Sequence, residues 1–152
     1  MPVLEELCKF HATLKQPVDV GAVPSGQRQI FDVTGGWVDG PRIKGQVLPS
    51  GADWILIGSD GVGRLDVRAL IETEDGARIY AQYFGVLIFN EAVIATLGGG
   101  GETDFGDTYF MTAPRFETGH PDYAWLNKIV AVGQGRVLPG AVEYRLFEVK
   151  ND

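Results

Sequence analysis

Gly63-Arg64-Leu65-Asp66-Val67-Arg68-Ala69-Leu70-Ile71-Glu72-Thr73 and Arg78-Ile79-Tyr80-Ala81-Gln82-Tyr83-Phe84-Gly85-Val86-Leu87-Ile88-Phe89 flank the turn signal Glu74-Asp75-Gly76. Both runs alternate with period two, and Asp-Gly between two such runs is a strong hairpin signal. Leu65, Val67, Ala69 and Ile71 share one face of the first run; Arg64, Asp66, Arg68, Leu70 and Glu72 share the other. The partner places Ile79, Ala81 and Tyr83 on one face and Arg78, Tyr80, Gln82 and Phe84 on the other. A hairpin this long must bend to pack on itself.

Working outward, the same alternation returns. Cys8, Phe10, Ala12 and Leu14 oppose Lys9, His11, Thr13 and Lys15 in a strand ended by Pro17. Gln29 to Val33 reads as a strand stopping at Gly35-Gly36, followed by the short pieces Trp37-Val38, Ile43 to Leu48 and Asp53 to Gly58. Asp107 to Thr112, Lys128 to Gly133 and Ala141 to Val149 complete the set, with Pro114 expected to end or bulge its strand. Asn90 to Leu97 is expected to be a short helix stopped by Gly98 to Gly101, and Pro121 to Leu126 one helical turn. The reading is one all-β domain over residues 1–152: a closed antiparallel β-barrel of about 8–10 strands with one or two short helices. Closure also removes exposed sheet edges.

Composition agrees. Glycine supplies 21 of 152 residues, about double the usual share, as bends and tight turns require. The net charge of −7 and a pI near 4.8, with basic residues scattered, argue against nucleic acid and against anionic membrane surfaces. The N-terminus lacks a basic region followed by an apolar stretch, so a cytoplasmic protein is expected. The single cysteine, Cys8, reads as a buried hydrophobe.

Familiar catalytic signatures fail. Gly98 to Gly101 lacks the Lys-Ser or Lys-Thr of a phosphate loop, and Gly133-Gln134-Gly135 lacks the third glycine of a dinucleotide site. No Gly-x-Ser-x-Gly elbow occurs, and His11 and His120 have no carboxylates at metal-ligand spacing. The expectation is chemistry with no cofactor and no metal.

Two readings of the central hairpin stay open: aliphatics inside with charges in water, or Arg68 and Tyr80 pointing into a ligand cavity. Asp107 to His120 concentrates aromatic and ionisable groups; Arg115 and Glu117 are either a structural brace or, through Arg115, an anchor for a ligand carboxylate. Trp37, Trp54, Tyr123 and Trp125 are core residues or the wall of an aromatic site.

The blocks Gly51-Ala52-Asp53-Trp54, Leu65-Asp66-Val67-Arg68, Asp75-Gly76-Ala77-Arg78-Ile79-Tyr80, Pro114-Arg115-Phe116-Glu117-Thr118-Gly119 and Tyr123-Ala124-Trp125-Leu126-Asn127 together resemble the domain of unknown function 3237 family, also called uncharacterised protein family 0311. The resemblance runs from about Leu4 to Val149. It implies a closed antiparallel barrel, often a homodimer, and little about activity. Met111 stands where the resemblance leads one to expect Arg. Because the family pattern includes Asp53, Arg68, Tyr80, Arg115 and Glu117, it favours the cavity-lining alternative.

The functional expectation is a cofactor-independent lyase or isomerase, of decarboxylase or dehydratase type, acting on a small aromatic or polyketide-like acid. Tyr80 or Asp53 would move the proton, with a pKa shifted by burial, and Arg68 or Arg115 would hold the carboxylate. Trp54, Tyr109, Met111, Glu117 and Trp125 would contact the substrate. The alternative is a binding barrel without catalysis, a carrier or sensor; a weaker one is a solid barrel serving assembly.

Overall fold

A computed structural model describes residues Met1–Asp152. Nine strands follow in order: β1 (Val3–Leu14), β2 (Val18–Val23), β3 (Gly26–Asp39), β4 (Gly45–Ile57), β5 (Val62–Thr73), β6 (Arg78–Ile88), β7 (Phe110–Glu117), β8 (Val130–Leu138) and β9 (Ala141–Lys150). Every pairing is antiparallel, in the spatial order β1-β9-β8-β7-β6-β5-β4-β3, and β1 pairs with β3 to close an eight-stranded barrel. β2 hangs on β3 outside the ring. Helix α1 (Glu91–Leu97) and a 3₁₀ helix (Pro121–Lys128) sit at opposite ends.

The central hairpin forms as its alternation requires, pairing without a register break from Val62↔Ile88 to Glu72↔Arg78. Its aliphatic face is the inside: Leu65, Val67, Ala69, Ile71, Ile79, Ala81 and Tyr83 are all buried. This overturns the cavity-lining expectation for four residues. Arg68 and Tyr80 alternate outward with their charged and polar neighbours, and Arg115 and Glu117 do the same on β7. A period-two strand with one fully apolar face gains more by burying that face than by burying two guanidinium groups.

Two expected breaks are bends within longer strands. β3 runs through Gly35-Gly36 to Asp39, with φ of 149° and 139° at the two glycines and a register shift against β4 between Asp32 and Trp37. β4 runs through Pro49-Ser50-Gly51, where its register against β5 shifts between Val47 and Gly51. Glycine-centred bulges of this kind curve a sheet so that it closes. Pro114 does not bulge its strand either: β7 pairs with β6 in continuous register from Tyr80↔Glu117 to Leu87↔Phe110. On its other edge β7 pairs with β8 only at Met111 and Thr112, so the missing Pro114 N–H lies beyond that ladder. Strand β2 lies in a stretch that carries no marked alternation in the sequence.

The far end is plugged. Leu126 of the 3₁₀ helix is buried in the core, Trp125 lies under the Arg42 guanidinium at 3.9 Å, and the Tyr123 hydroxyl donates to the Asp75 carboxylate at 2.9 Å. His120 caps this helix, its Nδ1 accepting the Asp122 N–H at 3.2 Å. Cys8 is buried, and burial pushes its thiol up to about 12. No helix is long and apolar enough to cross a membrane.

Closure gives a test. A Cβ at Gly36 would stand 1.8 Å from the His11 carbonyl oxygen, whereas one at Gly119 would meet nothing within 4 Å. Gly36→Ala is therefore expected to destabilise by about 3 kcal/mol, and Gly119→Ala to stay within about 0.5 kcal/mol of wild type, in denaturant unfolding.

Candidate functional site

The end opposite the 3₁₀ helix is hollow. A cavity of about 330 Å³ opens there, predominantly apolar, and its walls come from strand ends all around the ring. Leu14, Phe31, Leu65 and Phe110 line it, and Val93, Thr96 and Leu97 of α1 cover it. That volume lies at the lower end of the range for small-molecule sites.

Local chemistry sets the cover in place. Asn90 caps α1 by accepting the Val93 N–H at 3.0 Å, and its amide donates to the Asp107 carbonyl at 2.9 Å, tying the helix start to the returning loop. That loop is stitched to β8: the Thr103 N–H donates to the Val137 carbonyl at 2.9 Å, and the Thr103 hydroxyl accepts the Val137 N–H at 2.8 Å. Phe105 lies against the Arg136 and Arg145 guanidinium groups, at 5.1 and 4.2 Å.

One carboxylate enters this apolar space. Asp53 points inward from β4 in a single row of paired residues, Phe31↔Asp53, Asp53↔Val67, Val67↔Tyr83 and Tyr83↔Pro114, across β3 to β7. Its Oδ1 accepts the Asp66 N–H at 3.2 Å, and no cation pairs with it. Burial disfavours its ionised form and raises its pKa to about 7; the Asp66 amide opposes that shift only in part. Below Asp53, a void of about 20 Å³ is bounded by Asp53, Tyr83 and Tyr144 and shares the walls Leu14, Asp53 and Val142 with the main cavity. Burial raises the pKa of both tyrosines, so they remain protonated donors at neutral pH.

Of the nine residues singled out from sequence, Asp53 alone lines this cavity. Arg68, Tyr80, Arg115 and Glu117 are on the outer face, as are Trp54 and Met111; Tyr109 is exposed, and Trp125 belongs to the opposite end. Met111, in place of an expected Arg, therefore alters the outer surface and leaves the cavity untouched. Tyr83 and Tyr144 are the polar wall residues that sequence reasoning missed. Their signal was a hydroxyl-bearing ring at an inward position of an aliphatic face, which reads as core until its neighbour across two strands is known.

The sequence profile of the family described as protein of unknown function (DUF3237) matches residues 2–149. The chain belongs to the DUF3237 family. An uncharacterised protein family 0311 member from Rhodopseudomonas palustris is 37% identical over 134 residues, covering 87% of this chain and 88% of that one. Its crystal structure, described as a conserved protein of unknown function, superimposes with a TM-score of 0.90 at 32% identity, covering 99% of both chains. The crystal structure of an enzyme from Penicillium herquei aligns with a TM-score of 0.72 at 26% identity, covering 98% of this chain and 95% of that one. The PR-toxin biosynthesis cluster protein 7 of Penicillium roqueforti is 24% identical over 157 residues, covering 91% and 84%. This DUF3237 barrel thus has both uncharacterised bacterial relatives and a distant similarity to a fungal enzyme.

The raised pKa of Asp53 makes a stability prediction. Between an unfolded value of about 3.9 and a native one of about 7, the folded protein binds more protons than the unfolded chain. The stability associated with the neutral carboxyl is present below about pH 4 and lost as pH rises through about 7. Asp53→Asn is expected to match wild type at pH 4 and to exceed it by on the order of 2 kcal/mol at pH 8.5. Urea midpoints at the two pH values check this; an equal change at both would contradict the assignment.

Proposed function

We propose that this barrel is a cofactor-independent lyase or isomerase acting on a small aromatic or polyketide-like acid, with Asp53 as the general acid–base. The observation that carries this reading is a single inward carboxyl, without a cationic partner, in an apolar cavity that holds its pKa at about 7. A carboxyl tuned to the working pH both accepts and returns a proton, which is the requirement for proton-transfer catalysis. An isolated carboxylate buried only for structure is costly and gains nothing from its position. The similarity to a Penicillium enzyme over nearly the whole chain supports catalysis as well.

The expected anchors change. Arg68 and Arg115 face away from the cavity, whereas Lys15, on the segment leaving β1, is the sole cation among the lining residues. In this reading Lys15 meets the substrate carboxylate at the rim, the apolar walls enclose its body, and Asp53 works at depth. Gln16 and Gln29 supply further polar contacts near Lys15.

Incubation with a panel of hydroxylated aromatic and polyketide acids, followed by chromatography and mass spectrometry, tests the proposal. Loss of carbon dioxide or water, or an isomer of unchanged mass, is expected. Asp53→Asn should lower turnover at least about 100-fold, while Arg115→Ala and Tyr80→Phe leave it unchanged. With Asp53 acting as base, kcat/KM should rise with pH through about 7 and then level off. Wild-type rates from Asp53→Asn would overturn the assignment; ligands bound tightly but recovered intact would favour a carrier.

A further inference from the structure

The barrel interior narrows below Asp53 into a space with an unusual wall. Tyr83 and Tyr144 are almost wholly buried, with rings packed edge-on at 5.3 Å, and Phe10 and Phe110 close around Tyr144 at 6.1 and 5.3 Å. Buried tyrosine hydroxyls ordinarily find a structural partner, yet the side-chain hydrogen bonds to backbone carbonyls all come from other residues, and neither phenol makes one. They interact with each other and face Asp53. The void they bound, about 20 Å³, suits a water or one oxygen atom and is too small for more. Because it shares the walls Leu14, Asp53 and Val142 with the main cavity, a substrate lying against Asp53 can extend one oxygen into it.

We infer that Tyr83 and Tyr144 form a hydrogen-bonding niche for a substrate carbonyl oxygen, so that the substrate is an enolisable carbonyl compound. This rests on Asp53 being the acid–base. Ionised Asp53 takes the proton from the carbon next to the carbonyl; the C–H electron pair becomes a C=C bond, and the carbonyl π pair moves onto oxygen. The enolate oxygen accepts hydrogen bonds from the phenols, which keep their protons. Where a C=C is conjugated with the enolate, Asp53 then returns its proton to the γ-carbon as the carbonyl re-forms, giving an isomer; otherwise it gives the proton to a departing β-hydroxyl, giving an alkene and water. For a β-keto acid, carbon dioxide leaves first, and protonated Asp53 delivers its proton to the resulting enolate carbon. The isomerisation and dehydration routes restore Asp53 to its starting state; after decarboxylation it regains its proton from solvent water. Donors fixed where charge develops, within predominantly apolar walls, are the strongest single aid such a reaction has.

Naphthalene and 2-naphthol separate this niche from the cavity in general, since they differ by one oxygen. Their affinities are measured by fluorescence at pH 6, where Asp53 is mostly protonated, for wild type, Tyr83→Phe and Tyr144→Phe. Wild type is expected to prefer 2-naphthol. Each variant should lose at least about tenfold in 2-naphthol affinity, the loss of about 1.4 kcal/mol, while naphthalene binding stays unchanged and so reports an intact fold. Unchanged 2-naphthol affinity in both variants, equal losses for both probes, or no wild-type preference for 2-naphthol would each overturn the niche. Turnover by Asp53→Asn reports separately on the acid–base: a tyrosine-independent probe with an inactive Asp53→Asn sinks the niche alone, and the reverse pattern sinks the acid–base alone.

Discussion

The pairing of β1 with β3 is the constraint on which the molecule depends. Without it, eight strands form an open twisted sheet with two exposed edges and no interior. The contact is close because Gly36 brings its backbone against that of His11, where any side chain would collide. Once the ring closes, each strand has one face that no longer meets water. The alternation visible in every strand then becomes a core.

That core is unevenly filled, and the unevenness is useful. Toward the 3₁₀ helix, Leu7, Ile43, Ile71, Ile79 and Leu126 pack without solvent. Toward α1 the same ring is hollow, with glycine at several inward positions to admit large neighbours. A Cβ at Gly135 would press into the Phe110 ring at 2.7 Å, and Phe110 forms part of the cavity wall. Glycine and aromatic residues are thus complementary here: the backbone gives way so that a rigid ring can shape the space.

Asp53 takes its character from this arrangement. The same residue on the outer face would be an ordinary solvated carboxylate; inside, apolar walls displace much of its solvent and no cation pairs with it, so neutrality becomes competitive with charge. Its neighbours at depth are the phenols of Tyr83 and Tyr144, which burial keeps protonated, so they do not compete for its proton. A carboxyl flanked by apolar walls on one side and two phenols on the other is the arrangement on which the proposed proton transfer rests.

Local sequence determined the secondary structure and the fold class. The Asp75-Gly76 hairpin, the Asn90 cap and the alternation from Cys8 to Val149 all act through near neighbours, so each is readable in order along the chain. Bulges were harder: Gly35-Gly36 and Pro49-Gly51 look like strand ends because turn chemistry and bulge chemistry use the same residues. The candidate site was legible only at Asp53. Family resemblance drew Arg68, Tyr80, Arg115 and Glu117 toward the cavity, but alternation alone leaves the sign of each face open, and closure assigned the aliphatic one to the interior. Tyr83 and Tyr144 are separated by sixty residues and meet only because β7 and β8 curve between them, so that β9 and β6 face each other across the barrel interior. Which residues share the cavity depends on register across bulged strands, a long-range property that tertiary closure alone decided.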